Sequence, residues 1–344
     1  MALLEKSRVQ KILIIKLRAI GDVVLSTATL KNLRTAYPHA RIDFLTEYYC
    51  KDVVEGNPDI DSIIAFNNKE ESGLSLVRRI RSGRYDLVID LFGNPRSAIV
   101  TLFSGAFYRV GYRFGWRKYC YSIVVEPRGG EKHNIDFNLD ALKEIDIPVI
   151  DRTPVFPLSD DAKRFAQDFF KNKNLLGKLV VVLNPGGGWY TKRWKLHSYA
   201  GLAKKFRKEF DAKILICWGP GEQAIAEEIR LALDGEADLT PRTSLKELAA
   251  ILERCSLMIT NDSGPMHIAA AMGTPIVALY GPTRPELQGP ESKKAVVVQK
   301  KDLTCLGCNL TDCPIGNPCM EELSVETVYS AAKNLIEQLQ IIHA

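Results

Sequence analysis

Apolar residues in this chain gather in short runs, separated by stretches that show helical spacing. The first run, residues 9–17 (Val-Gln-Lys-Ile-Leu-Ile-Ile-Lys-Leu), has the length of a strand buried on both faces. In residues 22–37 that follow, Val23, Leu30 and Leu33 are spaced as on one helix face, and Pro38 ends the pattern. Further strands are expected at 42–45, 62–66, 87–92 and 122–125, with helices at 74–82 and 133–145. A second series places strands at 179–183, 214–218, 257–260, 276–280 and 295–298, with helices at 196–210, 223–233, 245–255 and 265–272. Pro148, Pro154 and Pro157 mark a linker between the two series, and a helix is expected at 160–172. This βα rhythm predicts parallel sheets with helices on both faces. The expected architecture is α/β: two doubly wound domains, 1–158 and 159–324, facing across a cleft, with ligands at the carboxyl ends of the strands.

Composition adds limits. A length of 344 residues suits two cores, and 46% hydrophobic with 25% charged residues is ordinary for a soluble enzyme. No run approaches the ~18 apolar residues of a membrane span. The opening Met-Ala-Leu-Leu-Glu-Lys-Ser-Arg lacks the apolar core of a signal peptide, so the chain reads as cytosolic. A net charge of +5 does not point to nucleic acid as a partner. Residues 91–125 carry Arg96, Arg109, Arg113, Arg117 and Lys118, no acid, and interleaved aromatics such as Phe107, Tyr112 and Trp116. That stretch is either a solvated basic loop beside strand aromatics or a landing site for an anionic, partly apolar acceptor or a membrane surface.

Three segments join a strand to a helix through polar or glycine-rich turns. Arg18-Ala-Ile-Gly21-Asp22 lacks the spacing of a nicotinamide-binding turn. Asp22 there is either a helix cap or a carboxylate held as a general base. In residues 183–194, Gly186, Gly187 and Gly188 let backbone N–H groups approach an anion, and Lys192 and Arg193 add charge, which favours a diphosphate. In Asn261-Asp262-Ser263-Gly264-Pro265-Met266-His267 the polar groups are caps or core members, or a ligand pocket at a strand end.

Taken in order, these motifs resemble the lipopolysaccharide heptosyltransferases of glycosyltransferase family 9. The resemblance rests also on residues 90–97 (Asp90-Leu-Phe-Gly-Asn94-Pro-Arg96-Ser97), Arg109-Val-Gly111-Tyr112, His133-x-x-Asp136, Lys192-x-Trp194 and Gly281-Pro-Thr283. It implies a GT-B fold of two Rossmann-like domains, the first binding the acceptor and the second the donor, with residues 325–344 as a helix returning to the first domain. It further implies an inverting transfer that needs no metal, from a nucleotide-sugar donor, with ADP-heptose expected, to a glycolipid acceptor at the inner membrane face. Asp22 would be the base and Lys192 the cation on the diphosphate. Gly186, Gly187, Glu222, Asp262, Ser263, Gly264 and His267 would complete the donor site. Arg18, Asn94, Arg96, Arg109 and Arg113 would meet the acceptor. A nucleotide-sugar epimerase of the same architecture and a non-catalytic nucleotide-binding protein are the rival readings.

Eight cysteines remain. Cys50, Cys120, Cys217 and Cys255 read as small buried hydrophobes. Cys305-x2-Cys308-x4-Cys313-x5-Cys319, in a reducing compartment, reads either as a structural four-thiolate zinc site or as thiols buried separately.

Overall fold

The computed structural model describes residues 4–126 and 132–341, and the chain divides after Pro157 into two compact units. In the first unit, strands β1 (Lys11–Ile15), β2 (Arg41–Glu47), β3 (Ser62–Phe66), β4 (Leu87–Asp90), β5 (Tyr108–Tyr112) and β6 (Ile123–Val125) form one parallel sheet in the order β3-β2-β1-β4-β5-β6. Its helices are α1 (Ile20–Ser26), α2 (Ala28–Ala36), α3 (Lys51–Val54), α4 (Gly73–Ser82), α5 (Pro95–Phe103) and α6 (Asn134–Lys143). Strand β1 is central, with Ile15 opposite both Leu45 and Asp90, and Ile12–Ile15 are buried, as an apolar run between two neighbours requires.

The second unit repeats the winding. Strands β7 (Val180–Asn184), β8 (Lys213–Ile216), β9 (Asp238–Leu239), β10 (Leu257–Asn261), β11 (Ile276–Leu279) and β12 (Ala295–Val298) pair in parallel in the order β12-β11-β10-β7-β8-β9. Helices α7 (Asp160–Asn172), α8 (Leu196–Phe210), α9 (Gln223–Leu231), α10 (Leu245–Glu253), α11 (Gly264–Ala271), α12 (Pro285–Gln288), α13 (Pro318–Glu321) and α14 (Val325–Gln338) complete it. Both sheets reverse direction between their first and fourth strands, β1/β4 and β7/β10. Connections there leave to opposite faces and open a crevice at the strands' carboxyl ends.

The structure departs from the sequence reading in one split helix and in several additional elements. The helix expected over 22–37 is two helices broken at Thr27. Ser26, Thr27 and Thr29 each donate a side-chain hydroxyl to a carbonyl three residues back, at 2.6–2.8 Å, which competes with the helical ladder. Strands β5 and β9 and helices α3, α5, α12 and α13 are additional. The helix expected over 325–344 forms as α14. Val328, Ala332, Leu335 and Ile336 lie in the second unit's core, and α14 packs on α8, β11 and β12. Residues 342–344 of that expected element lie outside the described residues. No helix among the described residues is long and apolar enough to cross a membrane.

Candidate active site

In the first unit the crevice is lined by the loops that follow β1, β2 and β4. Asp22 lies in the first turn of α1 and is partly exposed. Its Oδ2 accepts the Ala19 N–H at 3.3 Å, so it does close the helix end, and its Oδ1 accepts from Asn134 Nδ2 at 3.2 Å. One turn further along α6, Asn138 Oδ1 accepts from Lys16 Nζ at 3.4 Å, and Leu91 O accepts from the same ammonium at 3.0 Å. Burial of Lys16 pushes its pKa down, against the carboxylates of Asp22 and Asp90, which favour the charged form.

Asp90 ends β4 fully buried. It accepts from the N–H groups of Phe92 and Gly93 and from Tyr121 Oη at 2.8 Å, while burial pushes its carboxyl pKa up. These bonds fix the turn into α5, where Asn94 caps the helix by accepting the Ser97 N–H at 2.8 Å. The helix start then presents Arg96. Its Nη1 is 3.7 Å from Glu47 Oε1, and Arg18 Nε is 4.0 Å from the same oxygen. Glu47, buried at the end of β2, thus gathers two half-exposed guanidinium groups and leaves one positive charge in excess.

Two expected acceptor residues stand apart from this cluster. Arg109 lies toward the amino end of the sheet, opposite Val88, and spends its guanidinium on the carbonyls of Ala106 and Cys120 at 2.7 and 3.1 Å. Arg113 follows β5 and pairs with Glu126 at 2.5 Å on the surface. Neither is brought to Asp22 by a contact, because local carbonyls and a local acid already satisfy them.

The second unit's crevice is more tightly bonded. Asn261, at the end of β10, is fully buried and uses its whole hydrogen-bonding capacity. Its Nδ2 donates to Pro185 O and Gly186 O at 2.9 and 3.0 Å, and its Oδ1 accepts from Trp194 N and Tyr199 Oη at 3.2 and 3.0 Å. Asn184 Nδ2 donates to Thr260 Oγ1 and Ser263 Oγ, both at 2.8 Å. The glycine loop after β7 is therefore tied to the loop after β10. Lys192, carried on the 190–192 turn, sits 2.7 Å from Asp262 Oδ2 and 4.4 Å from the Trp189 ring centroid. Thr283 Oγ1 donates to the same carboxylate oxygen at 2.7 Å. Gly264 opens α11, and His267 is buried on it.

Glu222, just before α9, bridges two loops. Its Oε1 accepts the Gly187 N–H at 3.0 Å and its Oε2 the Gly219 N–H at 2.9 Å. A Cβ on Gly186 would stand 2.2 Å from Glu222 Oε2, so any side chain there must displace this carboxylate. Beyond Glu222, past the ends of β8 and β9, a pocket of about 410 Å³ is lined by Trp218, Pro220, Arg242 and Thr243 among others.

The zinc expectation is corrected. Among the described residues no three His, Cys, Asp or Glu side chains are arranged to hold a metal ion. Cys319 turns into the core beside Gly281, whereas Cys308 is exposed and Cys305 and Cys313 are partly so. The thiols are neighbours without converging: burial, then the other three sulfurs, push the Cys319 pKa up to about 11.

Sequence reasoning missed Glu47, Lys16, Asn134 and Asn138 as members of the site, and took Asn184 and Asn261 only as parts of motifs. A signal existed for two of them. Lys16 interrupts an apolar strand run, and Glu47 ends one.

Two doubly wound units of the same winding, each with a polar cluster at its switch point, are the architecture of the GT-B class. Residues 74–317 match the family described as glycosyltransferase family 9 (heptosyltransferase), and the chain belongs to that family. A lipooligosaccharide heptosyltransferase 2 of Haemophilus influenzae is 29% identical over 311 residues, covering 84% of this chain and 88% of that protein. The crystal structure of a glycosyl transferase family 9 protein from Veillonella parvula matches with a TM-score of 0.85 at 26% identity, covering 96% of this chain and 97% of that one. The fold is also that of an E. coli ADP-heptose LPS heptosyltransferase II, with a TM-score of 0.77 at 24% identity, covering 96% and 99%.

Proposed function

We propose that the chain transfers a heptose from ADP-heptose to a lipopolysaccharide inner-core acceptor at the cytoplasmic face of the inner membrane, with inversion and with no metal in the chemistry. The observation that carries the donor half is the order of groups along one sheet edge. Reading across β10, β7, β8 and β9, the strand ends present Asp262 with Ser263, then the glycine loop with Lys192, then Glu222, then the pocket by Trp218 and Arg242. Sugar, diphosphate, ribose and base follow in the same order in a nucleotide diphosphate sugar. Four neighbouring strands span about 14 Å, on the scale of such a ligand.

Lys192 and the N–H groups of the glycine loop supply positive potential where charge develops on the leaving diphosphate. Glu222 keeps lone pairs for ribose hydroxyls beyond those its two N–H partners use. In the first unit Asp22 takes the proton of the acceptor hydroxyl, held in place by Ala19 N–H and Asn134. Arg18 and Arg96, spread around Glu47, meet the phosphate or carboxylate of the acceptor. The test is Asp22→Asn assayed with ADP-heptose and a purified inner-core acceptor, with ADP binding measured in parallel. Turnover should fall ~10²–10⁴-fold while ADP affinity is kept. Near-normal turnover in that variant overturns the assignment of the base.

A further inference from the structure

Helix α5 turns an apolar face to solvent. Ile99, Leu102 and Phe103 stand at i, i+3 and i+4, and each is at least 39% exposed, while Ala98 and Val100 face the core. Phe107 in the next loop, and Trp116 and Tyr119 in the 115–120 turn, are more than half exposed. The helix packs between α4 and that turn. Together α4, α5 and the 115–120 turn carry Arg78, Arg79, Arg81, Arg96, Arg117 and Lys118 and no acid. Only Arg79 among the α4 bases has an acidic partner, Glu71, at 2.7 Å, and that acid lies outside the three elements.

Aromatic tips beside an aliphatic stripe, set in a field of one sign, fit one kind of surface. Two copies of this face would bring like charges together and repel. A bilayer with anionic headgroups accepts the apolar groups at its interface and draws in the bases. We propose that the face formed by α4, α5 and the 115–120 turn docks on an anionic lipid bilayer. The inference rests on the transferase reading only for its purpose, which is to meet a glycolipid acceptor. Helix α5 starts at Asn94 and Arg96, beside Glu47, and its nine residues span about 13 Å. A bilayer on its outer face therefore lies within one short helix of the first unit's crevice.

The experiment is co-sedimentation of the full chain with phosphatidylcholine vesicles made with and without phosphatidylglycerol. The expected result is binding to the phosphatidylglycerol vesicles that weakens as salt is raised. A Leu102→Ser/Phe103→Ser double variant should partition about tenfold less. Both side chains are exposed, so its thermal melt should match the parent's. Transfer to a deacylated, soluble acceptor should be unchanged. Equal vesicle binding by parent and double variant overturns the proposal. So does a parent dimer, seen by sedimentation velocity, that the double variant dissolves while vesicle binding persists. Vesicle binding that is lost in the double variant, in a protein that transfers to no acceptor, would sustain the docking surface and remove the transferase reading.

Discussion

The Gly186→Ala substitution tests the wiring of the donor loop most directly. The added methyl carbon would meet Glu222 Oε2 at 2.2 Å and its Cδ at 2.5 Å. The obstacle is the far end of a flexible side chain, so the carboxylate can swing away with little strain. Doing so abandons two N–H donors, Gly187 at 3.0 Å and Gly219 at 2.9 Å. Hydrogen bonds to a charged group contribute about 1.5–3 kcal/mol each when buried. Glu222 is partly exposed and water replaces part of that, so the combined loss is about 2 kcal/mol. In a unit of this size that corresponds to a melting-point fall of roughly 4–8 °C. Glu222→Ala removes the same two bonds at once, so adding Gly186→Ala in that background should change stability by less than about 0.5 kcal/mol. Thermal denaturation of the parent, both single variants and the double variant gives the cycle. If the two single losses simply add, Glu222 is not what a side chain at 186 displaces and the reasoning fails. ADP titration of the same four proteins should show weaker binding in all three variants.

Lys192→Ala should weaken ADP binding and slow transfer. It should also lower stability by about 3 kcal/mol, because Asp262, 4% exposed, loses its cation. Lys192→Arg should restore part of each, since charge returns with different geometry, and unchanged ADP affinity in both variants would mean the loop is not a diphosphate site. Acid denaturation offers a separate check in the first unit. Lys31 at 2.8 Å, then the Thr153 N–H, hold the Asp151 carboxyl down to about 2. A carboxyl whose folded pKa lies below its unfolded value of about 4 contributes stability above pH 4, and loses it as pH falls from about 4 toward 2. Denaturant midpoints measured from pH 5 to pH 2.5 should fall less steeply for Asp151→Asn than for the parent.

The elements that the sequence disclosed are those with one clean signal. Strand β1 is an apolar run, and α8 and α14 bury one stripe each. What was hidden was hidden for identifiable reasons. Strand β5 is broken up by Arg109 and Gly111, and the latter is glycine because a Cβ there would stand 2.3 Å from the Tyr121 ring. Tyr121 in turn reaches Asp90, a partner 31 positions away. Helix α5 gave no helical period because its outer face is apolar too, so inside and outside look alike along the chain. The same property that concealed the helix marks it as a docking face.

Within the site, residue types were legible and partnerships were not. Lys192 and Asp262 are 70 positions apart and were both expected to face a donor, yet in this structure they face each other. Parallel register explains it. Thr260 lies opposite Asn184, so the loops leaving β10 and β7 must start side by side, which brings Asn184 to Ser263 and Lys192 to Asp262. The same logic brings Arg18 and Arg96, from the loops after β1 and β4, to Glu47 at the end of β2, the other neighbour of β1. Arg109 fails to join them because it enters its strand from the opposite end. A strand's carboxyl end is thus the useful unit of prediction. Beyond the central strands β1, β2 and β4 topology delivers Arg18, Glu47 and Arg96 to one cluster, whereas Arg113, beyond the outlying β5, is taken by Glu126, and Arg109, inside that strand, by nearby backbone.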